Sequence, residues 1–308
     1  MAADRILATG ASGFLGRAVV DHLAARGRTV RAAVRHDTGR WPTGVEAVRT
    51  GDLSGATDWS RALESVDTVV HCAGRAHVLK ETAADPLTEF RAVNTEATLA
   101  LARQAAAAGV RRFVFISSIG VNGAATRGDP FRHDDPPHPH SPYAVSKHEA
   151  ELGLRALAAE TGLEVVIIRP PLIIGPDPKG NLATLQRLID RGLPLPFGLA
   201  TGNRRDLVSR DTLCDLIDAV IDHPAAAGET FLVSDGEPIS TRTLLERMAT
   251  GRGRSVTLLP VPPILLALLL KAIGKGAMAS QLFGDLEVDI GHTRRTLNWA
   301  PPGQTAAT

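Results

Sequence analysis

The chain has 308 residues, with 34 Lys and Arg against 33 Asp and Glu, for a formal net charge of +1. So even a balance leaves no footprint for nucleic acid or another polyanion. Two cysteines, Cys72 and Cys214, form no disulfide framework and read as inert thiols of a cytoplasmic protein.

In chain order, Arg5–Thr9 (RILAT) reads as a short apolar strand. It runs into Gly10-Ala11-Ser12-Gly13-Phe14-Leu15-Gly16 and a helix over Arg17–Arg26. The opening residues show no basic-then-apolar leader. Further strands are predicted at Thr29–Val34, Val45–Arg49, Asp67–Cys72, Arg112–Ser117 and Leu163–Ile168. A long Ala- and Leu-rich helix is predicted over Pro86–Ala108. A second, opened by Ser141-Pro142, runs from Tyr143 to about Glu160. Continuous apolar strands alternating with helices specify an α/β fold: a Rossmann-like, doubly wound parallel sheet with its ligand beyond the carboxyl ends of the strands.

The texture changes after Arg169-Pro170-Pro171. Prolines and glycines crowd 170–202, and helices are predicted at Leu182–Arg191, Thr212–His223 and Thr241–Thr250. The division is therefore a dinucleotide-binding domain over 1–170 and a smaller, mostly helical substrate cap over 171–308. A strand at 229–234 is expected to rejoin the sheet. The most apolar run, Ile264–Leu270, is far shorter than the ~20 residues of a membrane span. It reads as a helix started by Pro262-Pro263, stopped at Gly274 and buried under the cap, with a membrane-surface role as the minority reading. His133, His138 and His140 lie in a proline-stiffened loop without ligand spacing, so no metal site is assigned.

Three glycines, Gly10, Gly13 and Gly16, between a strand and its helix make a dinucleotide-binding turn: one glycine for the turn, one for approach of the pyrophosphate, one for packing. At the end of the second strand, where an acid would bind ribose hydroxyls, stand Val34-Arg35-His36. With Arg17 after the last glycine, this leans to NADP(H), because a guanidinium fork suits a 2′-phosphate. NAD(H) stays open, since both arginines could be ordinary surface charge. Asp52 and Leu53 suit the adenine edge and face. Tyr143, the only tyrosine, precedes Lys147 by one helical turn. A cation there would lower the phenol pKa toward the working range of an acid/base group. The same pair would occur by chance on a surface helix. Ser117-Ser118 at the end of the fifth strand completes a Ser…Tyr-x-x-x-Lys set.

With these motifs the chain resembles the extended short-chain dehydrogenase/reductase family, of the NAD-dependent epimerase/dehydratase type. The likeness is carried by TGASGFLG (9–16), HCAG (71–74), VNTEATLALARQA (93–105), FISSIGVNG (115–123), SPYAVSKHEAE (141–151) and IIRPPLIIGP (167–176). It implies Tyr143 as general acid/base, Lys147 on the nicotinamide ribose and Ser118 on the reacting oxygen. Asn94 would support the site, and Ala73, Gly74, Ser117 and Pro170 would line the cofactor. Asn122 stands where many relatives have tyrosine. GRAHV (74–78) and the 203–208 segment bring the likeness nearest to UDP-glucose 4-epimerase-like proteins and 4-keto-sugar-nucleotide reductases. Asn181 and Arg204 would then contact the substrate diphosphate; a second arginine, usual nearer the C-terminus, is replaced by Ser280-Gln281-Leu282. Two readings share this site: an NADPH-dependent reductase of a 4-keto sugar, narrowly preferred, and a UDP-hexose 4-epimerase with tightly held NAD. A reductase of non-sugar carbonyls and a non-catalytic dinucleotide-binding protein are the remaining alternatives. The resemblance also implies a homodimer through the 86–108 and 143–160 helices.

Overall fold

A computed structural model describes residues 5–36, 39–76, 85–302 and 304. The strands are β1 Arg5–Thr9, β2 Thr29–Val34, β3 Glu46–Arg49, β4 Thr68–His71, β5 Arg112–Ile116, β6 Glu164–Arg169, β7 Leu172–Ile174, β8 Leu207–Ser209 and β9 Thr230–Leu232. The helices are α1 Phe14–Ala25, α2 Ser60–Leu63, α3 Pro86–Arg91, α4 Ala97–Ala107, α5 Pro142–Thr161, α6 Gly180–Asp190, α7 Arg210–Asp222, α8 Thr241–Thr250, α9 Pro263–Ala272, α10 Gly276–Phe283 and α11 Gly291–Leu297.

Seven strands form one parallel sheet in the order β3-β2-β1-β4-β5-β6-β9. In β1, Ile6 and Ala8 face the core shared with Val19 and Leu23 of α1 and Leu216 and Ile217 of α7. Leu7 faces the opposite core, with Leu101 of α4 and Leu154 of α5. Apolar residues on both pleats bury the strand from both sides, which explains its unbroken apolar sequence. The order reverses between β1 and β4, and a crevice for a ligand belongs there. β9 rejoins the sheet beside β6, in the register Ile168 to Phe231.

Within 171–308, α7 returns to pack on the sheet beside α1. Two features differ from the sequence expectation. The helix expected over 86–108 is capped by Asp85, which accepts from the N–H groups of Leu87 and Thr88. It is interrupted by a π-helical turn at Ala92–Glu96, the kind of local widening common at functional sites. Finally, α9 is not buried under the cap: Ile264, Leu265, Leu268, Leu269 and Ile273 are each more than half exposed. The rest of the cap is held by a two-stranded β7–β8 sheet and by α6 against α8, through Leu182, Leu185, Leu244 and Leu245.

Candidate active site

The turn from β1 to α1 forms a cradle of bare backbone. Gly10 sits at φ +63°, and a Cβ on it would lie 2.8 Å from the backbone of Ala73. A Cβ on Gly16 would lie 2.2 Å from the Gly10 carbonyl. Neither position admits a side chain without moving the loop. Gly13 caps α1 with no side-chain hydrogen bond, and the first turn holds no acidic residue. Its N–H groups, with Ser12, Phe14 and Leu15, therefore form a positive helix end that suits an anionic group.

Opposite this cradle, the carboxyl ends of β4 and β5 meet α5. Lys147 is buried, donates from Nζ to the Ile116 carbonyl at 2.9 Å, and lies 4.5 Å over the Phe115 ring. Burial lowers its pKa to about 8, against raising influences from Cys72 and Glu151. Gly74 packs close by: a Cβ there would stand 3.0 Å from Asn94 Oδ1 and 3.5 Å from Lys147 Nζ. Asn94, on the π-helical turn, accepts from Arg75 N–H at 2.8 Å and donates to Ser146 Oγ at 3.0 Å. Ser146 in turn donates to the Tyr143 carbonyl. Asn94 thus ties the β4 loop to α5 next to Tyr143 and Lys147.

The Tyr143 ring meets Phe90 edge-on at 5.9 Å, and its phenol feels the Ser118 side chain. Tyr143 as a whole is half-buried. Burial pushes this phenol up to about 12, and Ser118 opposes the shift. The lowered tyrosine pKa expected from the Lys147 spacing is thus not found in the protein alone. The i, i+4 geometry is present, but the ammonium is directed to the Ile116 carbonyl and the Phe115 face, so desolvation governs the phenol.

Beneath Ser117 and Ser118 lies a buried polar network that sequence reasoning missed. Ser117 Oγ donates to Glu151, whose carboxylate also holds Arg169 at 2.6 Å. Arg169 donates onward to Asn122 Oδ1 at 3.0 Å, and Asn122 donates to the Arg132 carbonyl. Asn122 therefore braces the floor of the site rather than shaping a sugar pocket by itself. The one signal available was position: Glu151 follows Lys147 by four residues on the same helix face. His71, another residue not singled out, bridges Thr9 and Thr98 across β1 and α4. Burial and the Lys147 cation push its pKa down to about 3, so it is a neutral brace. Ile119 N–H donates to the Pro170 carbonyl, which places the end of β6 against the same loop.

At the far end of the crevice, the basic residues are paired. Arg17 meets Asp21 at 2.9 Å and stacks on Trp41. Arg35 lies 3.7 Å from Asp52, both well exposed. Leu53 packs against the core under β3. In the cap, Asn181 donates to Gln281 at 3.4 Å and Arg204 pairs with Glu287 at 3.0 Å. Among the described residues, neither hydrogen-bonds to the Ser118, Tyr143 and Lys147 cluster. His77 and Val78 of the GRAHV motif lie outside the described residues. No three His, Cys, Asp or Glu side chains form a metal-sized group among the described residues. Burial raises the Cys72 thiol pKa and pushes Cys214 up to about 12, so both are unreactive.

A parallel doubly wound sheet, a glycine cradle at a helix N-terminus and a Ser–Tyr–Lys set define a nicotinamide-dinucleotide enzyme of the extended short-chain dehydrogenase/reductase type. Residues 6–234 match the NAD dependent epimerase/dehydratase family, and the chain belongs to it. It is 46% identical over 299 residues to a UDP-glucose 4-epimerase of Vibrio cholerae, covering 96% of this chain and 90% of the relative. A dihydroflavonol 4-reductase of Zea mays is 32% identical over 254 residues, 72% of this chain and 68% of that protein. The structure also superposes on a UDP-glucose 4-epimerase of Thermus thermophilus in complex with NAD. That match has a TM-score of 0.75 and 27% identity over 98% of this chain and 95% of the other.

Proposed function

We propose that the protein is a 4-epimerase of UDP-hexoses that keeps NAD bound through the reaction. The observation that carries this is the 46% identity to the Vibrio cholerae epimerase along almost the whole chain. Tyr143, in its ionised form, takes the proton of the sugar C4 hydroxyl while Ser118 holds that oxygen, and returns it when the 4-keto sugar has turned its other face. The positive charge of the oxidised nicotinamide would favour that form against the burial that holds the phenol up in the protein alone. The nicotinamide, when bound, accepts the C4 hydride and gives it back. Lys147 orients the nicotinamide ribose with the N–H donors its ammonium has left beside the one given to the Ile116 carbonyl. Gly10, Ser12, Gly13, Phe14, Leu15 and Gly16 hold the diphosphate. Asp52 and Leu53 sit at the adenine, and Ala73, Gly74, Asn94, Ser117 and Pro170 frame the nicotinamide half. Asn181 and Arg204 receive the substrate diphosphate, Arg204 with the Nη1 donors that its pair with Glu287 leaves over.

The second reading is an NADPH-dependent 4-keto-sugar reductase. It is favoured by Arg17 and Arg35 flanking a strand end that carries no acid. NAD is preferred here because both arginines already face carboxylates, Asp21 and Asp52, which a 2′-phosphate would have to displace. The purified protein incubated with UDP-galactose and no added cofactor should form UDP-glucose with no net change in nicotinamide absorbance. A reaction that stops unless NADPH is consumed mole for mole would replace the epimerase by the reductase. A homodimer through α4 and α5 belongs to the same reading.

A further inference from the structure

The cap carries a surface that none of this chemistry uses. α9 exposes Ile264, Leu265, Leu268, Leu269 and Ile273, from 56% to 68% of each, along one side; Leu259 before it is 43% exposed. The helix packs on α10 with its other side, so the hairpin presents a continuous apolar stripe with no protein against it among the described residues. Singly exposed leucines are ordinary, whereas a contiguous stripe marks an interaction surface.

Charge identifies the occupant. From Arg247 to Gly284 there are five basic residues and no acidic one, in a chain of net charge +1. The rest of the molecule is correspondingly net negative. Arg247 and Arg252 are paired with Glu237 and Asp190, but Lys271 and Lys275, at the end of α9, form no ion pair among the described residues. A second copy of the chain meeting this face about a two-fold axis would set the same cations against each other. An anionic bilayer complements both the stripe and its charge: leucines enter the acyl boundary while lysines stay at the headgroups.

We propose that α9 is an interfacial anchor that seats the cap on an anionic lipid surface without crossing it; no described helix is long and apolar enough to span. α10 of the same hairpin bears Gln281, which meets Asn181. The docked face is thus one helix removed from the residue assigned above to the substrate diphosphate. The anchor itself stands independently of which sugar reaction the site performs.

The test is co-sedimentation of the purified full chain with phosphatidylcholine vesicles, with and without phosphatidylglycerol. Binding is expected to the anionic vesicles and to weaken with salt. Lys271→Glu with Lys275→Glu should lower the partition coefficient by about 30-fold or more. Leu265→Ser, Leu268→Ser and Leu269→Ser together should abolish binding while catalytic turnover of a soluble substrate is unchanged, which shows the fold is intact. Absence of binding to anionic vesicles, or equal binding by the leucine variant, overturns the proposal. So does a wild-type dimer in sedimentation velocity that the leucine variant alone turns into monomer, because the occupant is then a second copy.

Discussion

Tyr143 and Lys147 sit one helical turn apart, and burial drives their pKa values in opposite senses. Burial lowers Lys147 from an ordinary 10.5 to about 8 and raises Tyr143 from 10.0 to about 12. Between about 8 and 10.5 the unfolded chain holds more protons at Lys147 than the folded one, so stability rises with pH across that window. Above 10 the unfolded chain releases the Tyr143 proton first, and stability falls up to about 12. Urea midpoints across this range should show the rise, and Lys147→Met should remove it while leaving the fall. As the chain has one tyrosine, its tyrosinate absorbance reports Tyr143 alone. In the cofactor-free protein the midpoint should lie near 12, and a midpoint below 10 would contradict the desolvated hydroxyl. Tyr143→Phe should cut epimerisation by about 10²–10⁴-fold, measured at saturating substrate, with NAD still bound. The Tyr-x-x-x-Lys spacing was legible because helix geometry alone sets it. The direction of the tyrosine shift was not, because it depends on where a flexible ammonium finds its acceptor.

Elements position these groups through buried contacts whose partners are distant in sequence. The Glu151–Arg169 pair links α5 to the end of β6 with almost no solvent on either side chain. Removing one partner strands a charge, so Glu151→Ala should destabilise the protein by about 3–5 kcal/mol in denaturant titration. Glu151→Met with Arg169→Met should recover much of that loss, since the penalty comes from the unpaired charge. Gly16→Ala places a methyl against the Gly10 carbonyl. It should cost about 1–3 kcal/mol as overpacking and weaken NAD binding more than it weakens folding; calorimetric titration beside thermal melts separates the two. The strands of the sheet were readable because central parallel strands must be apolar on both faces. The π-helical turn at Ala92–Glu96 was not readable. Its residues include no helix breaker, and the Asn94 contacts with Arg75 and Ser146 that accompany the widening join segments distant in sequence. The exposure of α9 was hidden for a related reason: a leucine run has the same composition under a cap as on a surface, and only the absence of a covering element distinguishes them.

At the scale of the molecule, the α9 stripe and the proposed α4–α5 dimer face differ in charge, and charge sorts their partners. The α9 stripe lies in a wholly basic stretch and suits a lipid surface. The α4–α5 face is tightly built: a Cβ on Gly153 of α5 would fall 2.6 Å from Leu99. It exposes Leu152 at 54%, and both Glu149 and Arg91 on this side are satisfied by each other at 2.5 Å. Paired charges and a flush helix junction suit self-association, since a two-fold axis then sets apolar surface against its own copy with no net repulsion. Sedimentation velocity should therefore show a dimer, and Leu152→Asp should convert it to monomer, because each copy would bury a carboxylate opposite another apolar surface. The leucine substitutions in α9 should leave that dimer intact while removing vesicle binding. If both variants changed sedimentation alike, the two faces would form one interface, and the separation of lipid docking from self-association would fail.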